Sequence, residues 1–497
     1  MRAEIALLSL VLASPAAAEA PLSAIDWLSD SLRAPPVAPG GAVAEDARPG
    51  EVTTTTLEDG TLPLAGLHDG AGLPDGLWDG AGARDIVTAL DRLPERLPGR
   101  LDDLLVRLLT ARAAPPVWGR LDAGDLMVAR VDTLLARGHL SAAAALAAEG
   151  GDGTEGAAEM FRRRFDIALL TGDENDVCEE LKDAPGLSPT WPARVFCLAR
   201  NGDFDAAALT YGTAESLGML APGEDTLLAM FLDPELFADE DLGAPPRRPT
   251  PLEYRLWEAV GERQPTAGLP LAFAHADLSD RYGWKTRLEA AERLAAMGAL
   301  SADRLFALYA ENREAASGGL WDRVGAVADL RRALEAGDPD AVAETLPVAW
   351  DRMRARGLDR VFAEAFAVDL AGLPLTGEAG TAAVEVALLA PGPFRAPKAD
   401  GGHDDLIALA GGGAGRDPQV AAALSGSGSG DGDRNGDRHG SGDAPGLTAL
   451  RAMEDLAAGA DGDAARLAKG LAALCAAGFA DEARRVAVAV LLGPPAA

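Results

Sequence analysis

Histidine, cysteine, aromatic residues and positive charge are all scarce in this sequence, and each shortage excludes something. Of 497 residues only 5 are histidine and 3 are cysteine. His68, His139, His275, His403 and His439 show no zinc-ligand spacing and no HExxH, so a zinc site lacks its donors. His403-Asp404-Asp405 is the one local cluster of metal-type donors, and it reads better as a solvated loop or a helix start. Aromatic side chains make up 5% of the chain while Ala and Gly abound. That composition excludes a β-sandwich and suits short helices packed through small side chains. Lys and Arg number 45 against 77 Asp and Glu, a formal net charge of −32. A phosphate backbone needs a basic footprint, so no nucleic acid is expected as partner. The same charge favours solubility and a partner with a basic face.

Long hydrophobic runs are also missing. Ile5–Ala13 is apolar but too short to span a bilayer, and no other run approaches the ~20 residues a span needs. Arg2 ahead of that run and Ala16-Ala17-Ala18 behind it read as a signal peptide over residues 1–18, cleaved before Glu19. The expectation is an exported, periplasmic chain with no membrane span once mature. Export gives the cysteines meaning. Cys178 and Cys197 lie 19 positions apart, on helices that adjoin in the expected fold, and an oxidising compartment lets a bond between them persist. A disulfide and two buried free thiols are both open readings. Cys475 is left over and reads as core.

Residues 19–95 are rich in Pro, Gly and Asp and read as an acidic disordered linker. It holds one short amphipathic helix at 21–31, on which Ile25, Trp27 and Leu28 are candidate anchors for a partner groove, or else a segment that packs back on the chain's own body or simply trails the signal, which is the better reading. Thr53–Thr56 reads as extended. Helical pattern takes over near Pro98. Loop-like residues around 233–251 divide it into two lobes, 96–240 and 241–391. Residues 392–446 form a low-complexity linker containing SGSGSGDGDRNGDRHGSGD, and 447–497 a helical cap.

Within the helical body one turn grammar repeats: an apolar helix end, Gly, one or two polar residues, then Ala. It occurs at Gly138, Gly172, Gly202, Gly298, Gly337 and Gly478. Gly138 to Gly172 is 34 positions, Gly172 to Gly202 is 30 and Gly298 to Gly337 is 39, each the size of a two-helix unit, which must stack on others to bury its apolar face. Gly at these sites supplies the left-handed residue that ends a helix. The clearest case is RVFCLARNGDFDAAALTYGTAESL, in which Gly202 stops one helix and Asp203 caps the next. Ala206, Ala207, Leu209, Thr210, Ala214 and Leu217 give that second helix its packing face. The fold expected is all-α: an α-solenoid of helical hairpins behind a disordered N-terminal leader, with the Gly/Ser/Asp-rich linker near the C-terminus.

Gly202-Asp203-Phe204-Asp205-Ala206-Ala207 resembles the turn of tetratricopeptide-like repeats, which pair Gly with an aromatic two places on and Ala five places on. Ala143 and Ala483 keep that Ala, whereas Val177, Asp303 and Val342 depart from it. The resemblance implies an α-solenoid that holds a peptide or protein on its concave face. As a whole, RVFCLARNGDFDAA, FLDPEL, RYGWKTRLEAAERLA and ASGGLWDR resemble an uncharacterised family of secreted helical proteins from Gram-negative bacteria, sometimes labelled antifreeze-related. The residues do not supply that activity: ice binding needs long Ala-Ala-Thr repeats or a flat Thr ladder, and only Thr53–Thr56 is present.

Few motifs remain. Asp431, Asp433, Asn435, Gly436 and Asp437 match the first half of a calcium loop, but position twelve is Gly442 where a bidentate Glu is required, so a linker is the better reading. Ser425, Ser427 and Ser429 lack the strand–turn–helix setting of a nucleophile elbow. Gly411–Gly413 is not followed by the Lys of a phosphate loop. Arg162-Arg163-Arg164 is the densest basic run. It is a candidate clamp for a partner's carboxylate, or else pairs internally with acids such as Glu159 and Asp166. Tyr254, Trp257, Tyr282, Trp284, Trp321 and Trp350 fill gaps between Ala-rich helices. No cofactor is expected. The sequence reads as a non-enzymatic periplasmic scaffold for a peptide or protein of the cell envelope. The alternatives are a wall-active enzyme or its accessory subunit, and a secreted structural or stress-related protein without a specific partner.

Overall fold

The computed structural model describes residues 65–70, 72–114, 116, 123–150, 156–236, 242–311, 318–413, 415–425 and 444–493. The expected signal peptide over residues 1–18, the candidate anchors Ile25, Trp27 and Leu28, Thr53–Thr56, and the calcium-loop candidates Asp431, Asp433, Asn435 and Asp437 lie outside them. Among the described residues the fold is all-α, with two isolated bridges, His68 to Ala111 and Thr376 to Asp400, as its β-type pairing.

The helices are short, and many consecutive ones pack on each other. First come α1 (Ala83–Asp91), α2 (Leu101–Thr110), α3 (Ala123–Ala136) and α4 (Leu140–Glu149). Next are α5 (Ala157–Thr171), α6 (Glu174–Asp183), α7 (Trp191–Arg200), α8 (Phe204–Ser216), α9 (Glu224–Leu232) and α10 (Pro251–Ala259). A 3-10 stretch, Leu271–Leu278, leads to α11 (Trp284–Ala296), α12 (Ala302–Ala310), α13 (Leu320–Ala336), α14 (Pro339–Arg354), α15 (Asp359–Leu370) and α16 (Gly377–Leu389). Last are α17 (Asp404–Ala410), α18 (Pro418–Ser425), α19 (Pro445–Ala460), α20 (Ala464–Ala476) and α21 (Ala480–Leu492).

All six glycines of the repeated turn grammar sit between consecutive helices with φ between 64° and 91°. Gly218, Gly357 and Gly462 do the same job with φ of 63°, 74° and 112°, a role their flanking residues do not advertise. Polar caps start the following helices. Asp203 accepts from the Ala206 amide at 3.2 Å, and Thr250 and Glu253 close a reciprocal capping box on α10. The packing face of α8 is narrower than its sequence suggests. Only Ala207 and Ala214 are buried on it, while Leu209 and Leu217 are 74% and 63% exposed.

Three main cores result, and they correct the expected boundaries. One gathers Phe161, Leu169, Phe196, Leu228 and Trp257 from α5 to α10, so it runs straight across the expected lobe boundary at 240. A second gathers Leu288, Phe306, Leu330, Trp350 and Phe362 from α11 to α16. The third joins the two ends of the described chain: Leu77, Trp78, Leu104 and Leu134 pack with Leu450, Leu474, Phe479 and Val486. The described residues 447–493 are therefore part of a core shared with the first helices rather than a terminal cap. In an open array each unit touches only its neighbours; here α1 packs on α19, and α2 and α16 on α21.

The expected linker over residues 19–95 is overturned for its described part. Leu77 and Trp78 are each 4% exposed, and α1 turns Ala83, Ile86, Ala89 and Leu90 inward. The Leu77 carbonyl accepts from the Gly446 amide at 2.8 Å. Any side chain at Gly446 would strike the Trp78 ring. Local composition hides such order because its partners arrive from the far end of the chain. Residues 65–70 are tied down similarly. The buried Arg130 guanidinium donates to the carbonyls of Leu109 (2.6 Å), Ala65 (2.8 Å) and Ala111 (3.0 Å), and burial lowers its pKa to about 10. The linker assigned to 392–446 likewise contains two helices, α17 and α18, whose Leu409 and Val420 are buried.

Candidate functional site

The residues singled out by sequence scatter across the fold. Cys178 on α6 and Cys197 on α7 are joined in a buried disulfide with a Cα–Cα distance of 4.8 Å. Cys475 is a buried free thiol whose pKa burial raises.

The Arg162–Arg164 run does not face a partner, and the clamp reading is corrected. Arg162 and Arg163 are 7% and 1% exposed. Arg163 donates to both Asp132 oxygens at 2.6 and 2.8 Å and to Glu159 at 3.1 Å. Arg164 pairs with Glu180 at 2.5 Å and lies over the Phe161 ring. The reason is position: α5 touches α3, α4, α6 and α10, so the three successive arginines all meet protein. Asp166 follows on the same helix. Full burial pushes its pKa up to about 7, against the pull of Arg163 and Arg162.

The described histidines are structural too. His275 shares a 2.7 Å hydrogen bond with the Gly138 carbonyl. Burial drives His139 down to about 4. His403 sits 3.2 Å from Glu385, which also accepts from the Trp350 indole at 2.6 Å. Among the described residues no three His, Cys, Asp or Glu side chains gather as a metal site.

What the sequence did not reveal is a cleft of about 560 Å³ where α1, α3, the 266–278 segment, α11 and the turn after α14 converge. Its volume falls within the roughly 300–1,000 Å³ of small-molecule sites. Leu90, Leu93, Ala136, Leu269, Leu271 and Met297 give it an apolar floor. Four guanidiniums line it in a chain of strongly negative charge: Arg96, Arg137, Arg293 and Arg356, with Asp91 and Glu95 at the α1 side. They stand at 96, 137, 293 and 356, which is why no motif announces them.

Each guanidinium is held differently. Arg137 is saturated, donating to Asp102 at 2.9 and 2.7 Å and to the Pro94 carbonyl at 2.9 Å. Arg293 donates to the Thr266 carbonyl at 2.8 Å and its hydroxyl at 2.5 Å, with Asp277 at 3.7 Å. Burial lowers the Arg293 pKa, Asp277 opposes that, and the nearby Arg356 charge lowers it further. Among the described residues the Arg356 side chain pairs with Glu292 alone, at 3.4 Å through Nε, and is 50% exposed. Glu292 already accepts from Arg323 at 2.6 and 3.0 Å and from the Tyr309 hydroxyl at 2.6 Å. Arg96 is exposed and makes no hydrogen bond or ion pair among the described residues. Thr133, the one hydroxyl lining the cleft, donates to the Ala129 carbonyl.

No family model, curated protein or solved structure matches the chain.

Proposed function

We propose that the protein is a non-enzymatic scaffold of the periplasm that holds a peptide or protein of the cell envelope on its helical body, as tetratricopeptide-like proteins do. The observation that carries this reading is the cleft. It is half apolar, open to solvent, and set where the N-terminal core meets the α11–α16 core. Ligand sites occur preferentially at domain junctions and between packed helices. Its lining supports binding over turnover. Thr133 is engaged with its own helix, Arg137 is saturated, and no nucleophile lies beside a base among the lining residues. The export reading of residues 1–18 and the disulfide between Cys178 and Cys197 both suit an oxidising compartment.

The test is a crosslinking pull-down from the periplasmic fraction with the full chain and with Ala296→Trp, which puts an indole into the cleft beside Arg293 while keeping all four arginines. The reading expects a specific envelope component that the Trp variant fails to hold while its Tm stays within a few degrees of wild type. Equal recovery by both chains overturns the cleft as the site. No recovery under conditions that capture a control scaffold overturns the reading itself.

A further inference from the structure

We propose that the cleft is a carboxylate-binding site, with Arg356 and Arg96 as its anion ligands and the Leu269/Met297 floor taking the apolar body of the bound molecule. This rests on the scaffold reading and names the chemistry of what the scaffold holds.

The assignment follows from which donors are already used. Arg137 has its Nε and both Nη groups committed to Asp102 and Pro94. Both Nη groups of Arg293 point to Thr266. Arg356 uses only Nε, and on a carboxylate that three other donors already occupy. Its two Nη groups are left without a partner among the described residues, and Arg96 keeps its whole guanidinium. An Arg fork presents paired N–H groups at the spacing of carboxylate oxygens. Arg356 and Arg293 also repel each other across the lining, a cost that a bound anion relieves.

Counter-charges define the pose. Asp277 and Glu292 lie behind Arg293 and Arg356 and are 5% and 1% exposed, so they hold the guanidiniums without reaching the ligand. Asp91 and Glu95 stand at the α1 side beside Arg96. A dianion crowding that side would be repelled, so a monocarboxylate is the class that fits. Two sources share this chemistry: the free C-terminus of a short peptide, and a small free carboxylic acid.

Isothermal titration of the full chain separates them with three probes: acetyl-Leu-Ala with a free carboxylate, the same dipeptide as its C-terminal amide, and hexanoate. The peptide acid binds, the amide binds at least about tenfold more weakly, and Arg356→Gln weakens the acid by a similar factor while Tm stays near wild type. Arg96→Gln weakens it less, because that side chain is exposed and its contact is screened. Hexanoate binding as tightly as the peptide acid assigns the site to free acids; much weaker binding assigns it to a peptide terminus. Amide and acid binding equally, or an unchanged Kd in Arg356→Gln, overturns the carboxylate assignment. If that happens while Ala296→Trp still abolishes capture of an envelope component, the scaffold reading survives and only the anion chemistry falls.

Discussion

The Arg360 guanidinium donates to Asp103 at 2.6 Å across 257 positions of sequence. Arg100 reinforces the join, reaching back to the carbonyls of Leu389 and Arg360 at 3.3 and 3.2 Å. These bonds fasten the first helices to the α15–α16 pair, so the described chain closes on itself. Arg360 is 16% exposed in its side chain, which puts the pair between a surface bridge and a buried one. Arg360→Ala should cost about 1.5 kcal/mol in urea unfolding. Loss of under ~0.3 kcal/mol would show that the closure rests on apolar packing alone.

Asp166 makes stability depend on pH. Its carboxyl is raised to about 7 in the folded chain, against about 3.9 when unfolded. Below the unfolded pKa both states are protonated and nothing is lost. As pH rises toward 7 the unfolded chain gives up its proton first, and stability falls by up to about 1.4 kcal/mol per pH unit. His139, lowered to about 4 by burial, acts the other way: its stability is present above about 6.5 and lost as pH falls through 4. Denaturation of wild type and Asp166→Asn at pH 5 and 7.5 isolates the first effect. The variant should gain stability relative to wild type at the higher pH; parallel profiles would refute it.

The Cys178–Cys197 bond closes a sequence separation of 19. The chain-entropy estimate for such a loop is about 3 kcal/mol. Both sulfurs are buried, so the double variant Cys178→Ala/Cys197→Ala should unfold at clearly lower urea, with wild type under reductant moving toward it once unfolded. An unchanged midpoint would mean that α6 and α7 are held by packing alone.

Gly138 and Gly462 separate two costs of a helix turn. Both have positive φ, 79° and 112°. A Cβ at Gly138 would also press on Leu271 at 3.1 Å and Ala299 at 3.3 Å, whereas nothing lies within 4 Å of one at Gly462. Gly462→Ala should cost about 1–2 kcal/mol from backbone strain, and Gly138→Ala more, with Leu271 shifting at the cleft. Equal losses at the two sites would deny the added packing cost.

What the sequence revealed is what is local. Gly138, Gly172 and Gly202 each sit beside the helix ends they terminate, so a short window contains the whole signal. The all-α class and the capping role of Asp203 followed from that. Trp78 was illegible because its cover, Gly446, lies in another part of the chain. The buried state of Arg162 and Arg163 was offered only as one of two readings, because a helix surrounded on several sides looks like any other in sequence. The cleft was invisible for the same reason: Arg96, Arg293 and Arg356 share no window, and only the packing of α11 against its neighbours brings them together.

The most direct test places a photoreactive benzoylphenylalanine at Ala267, an exposed residue lining the cleft, and in a second chain at Val368, which is 82% exposed on α15. After irradiation in the intact periplasm, the account predicts a defined envelope adduct from position 267, suppressed by excess peptide acid, and none from 368. Adducts from 368 alone, or from both positions equally, would contradict it.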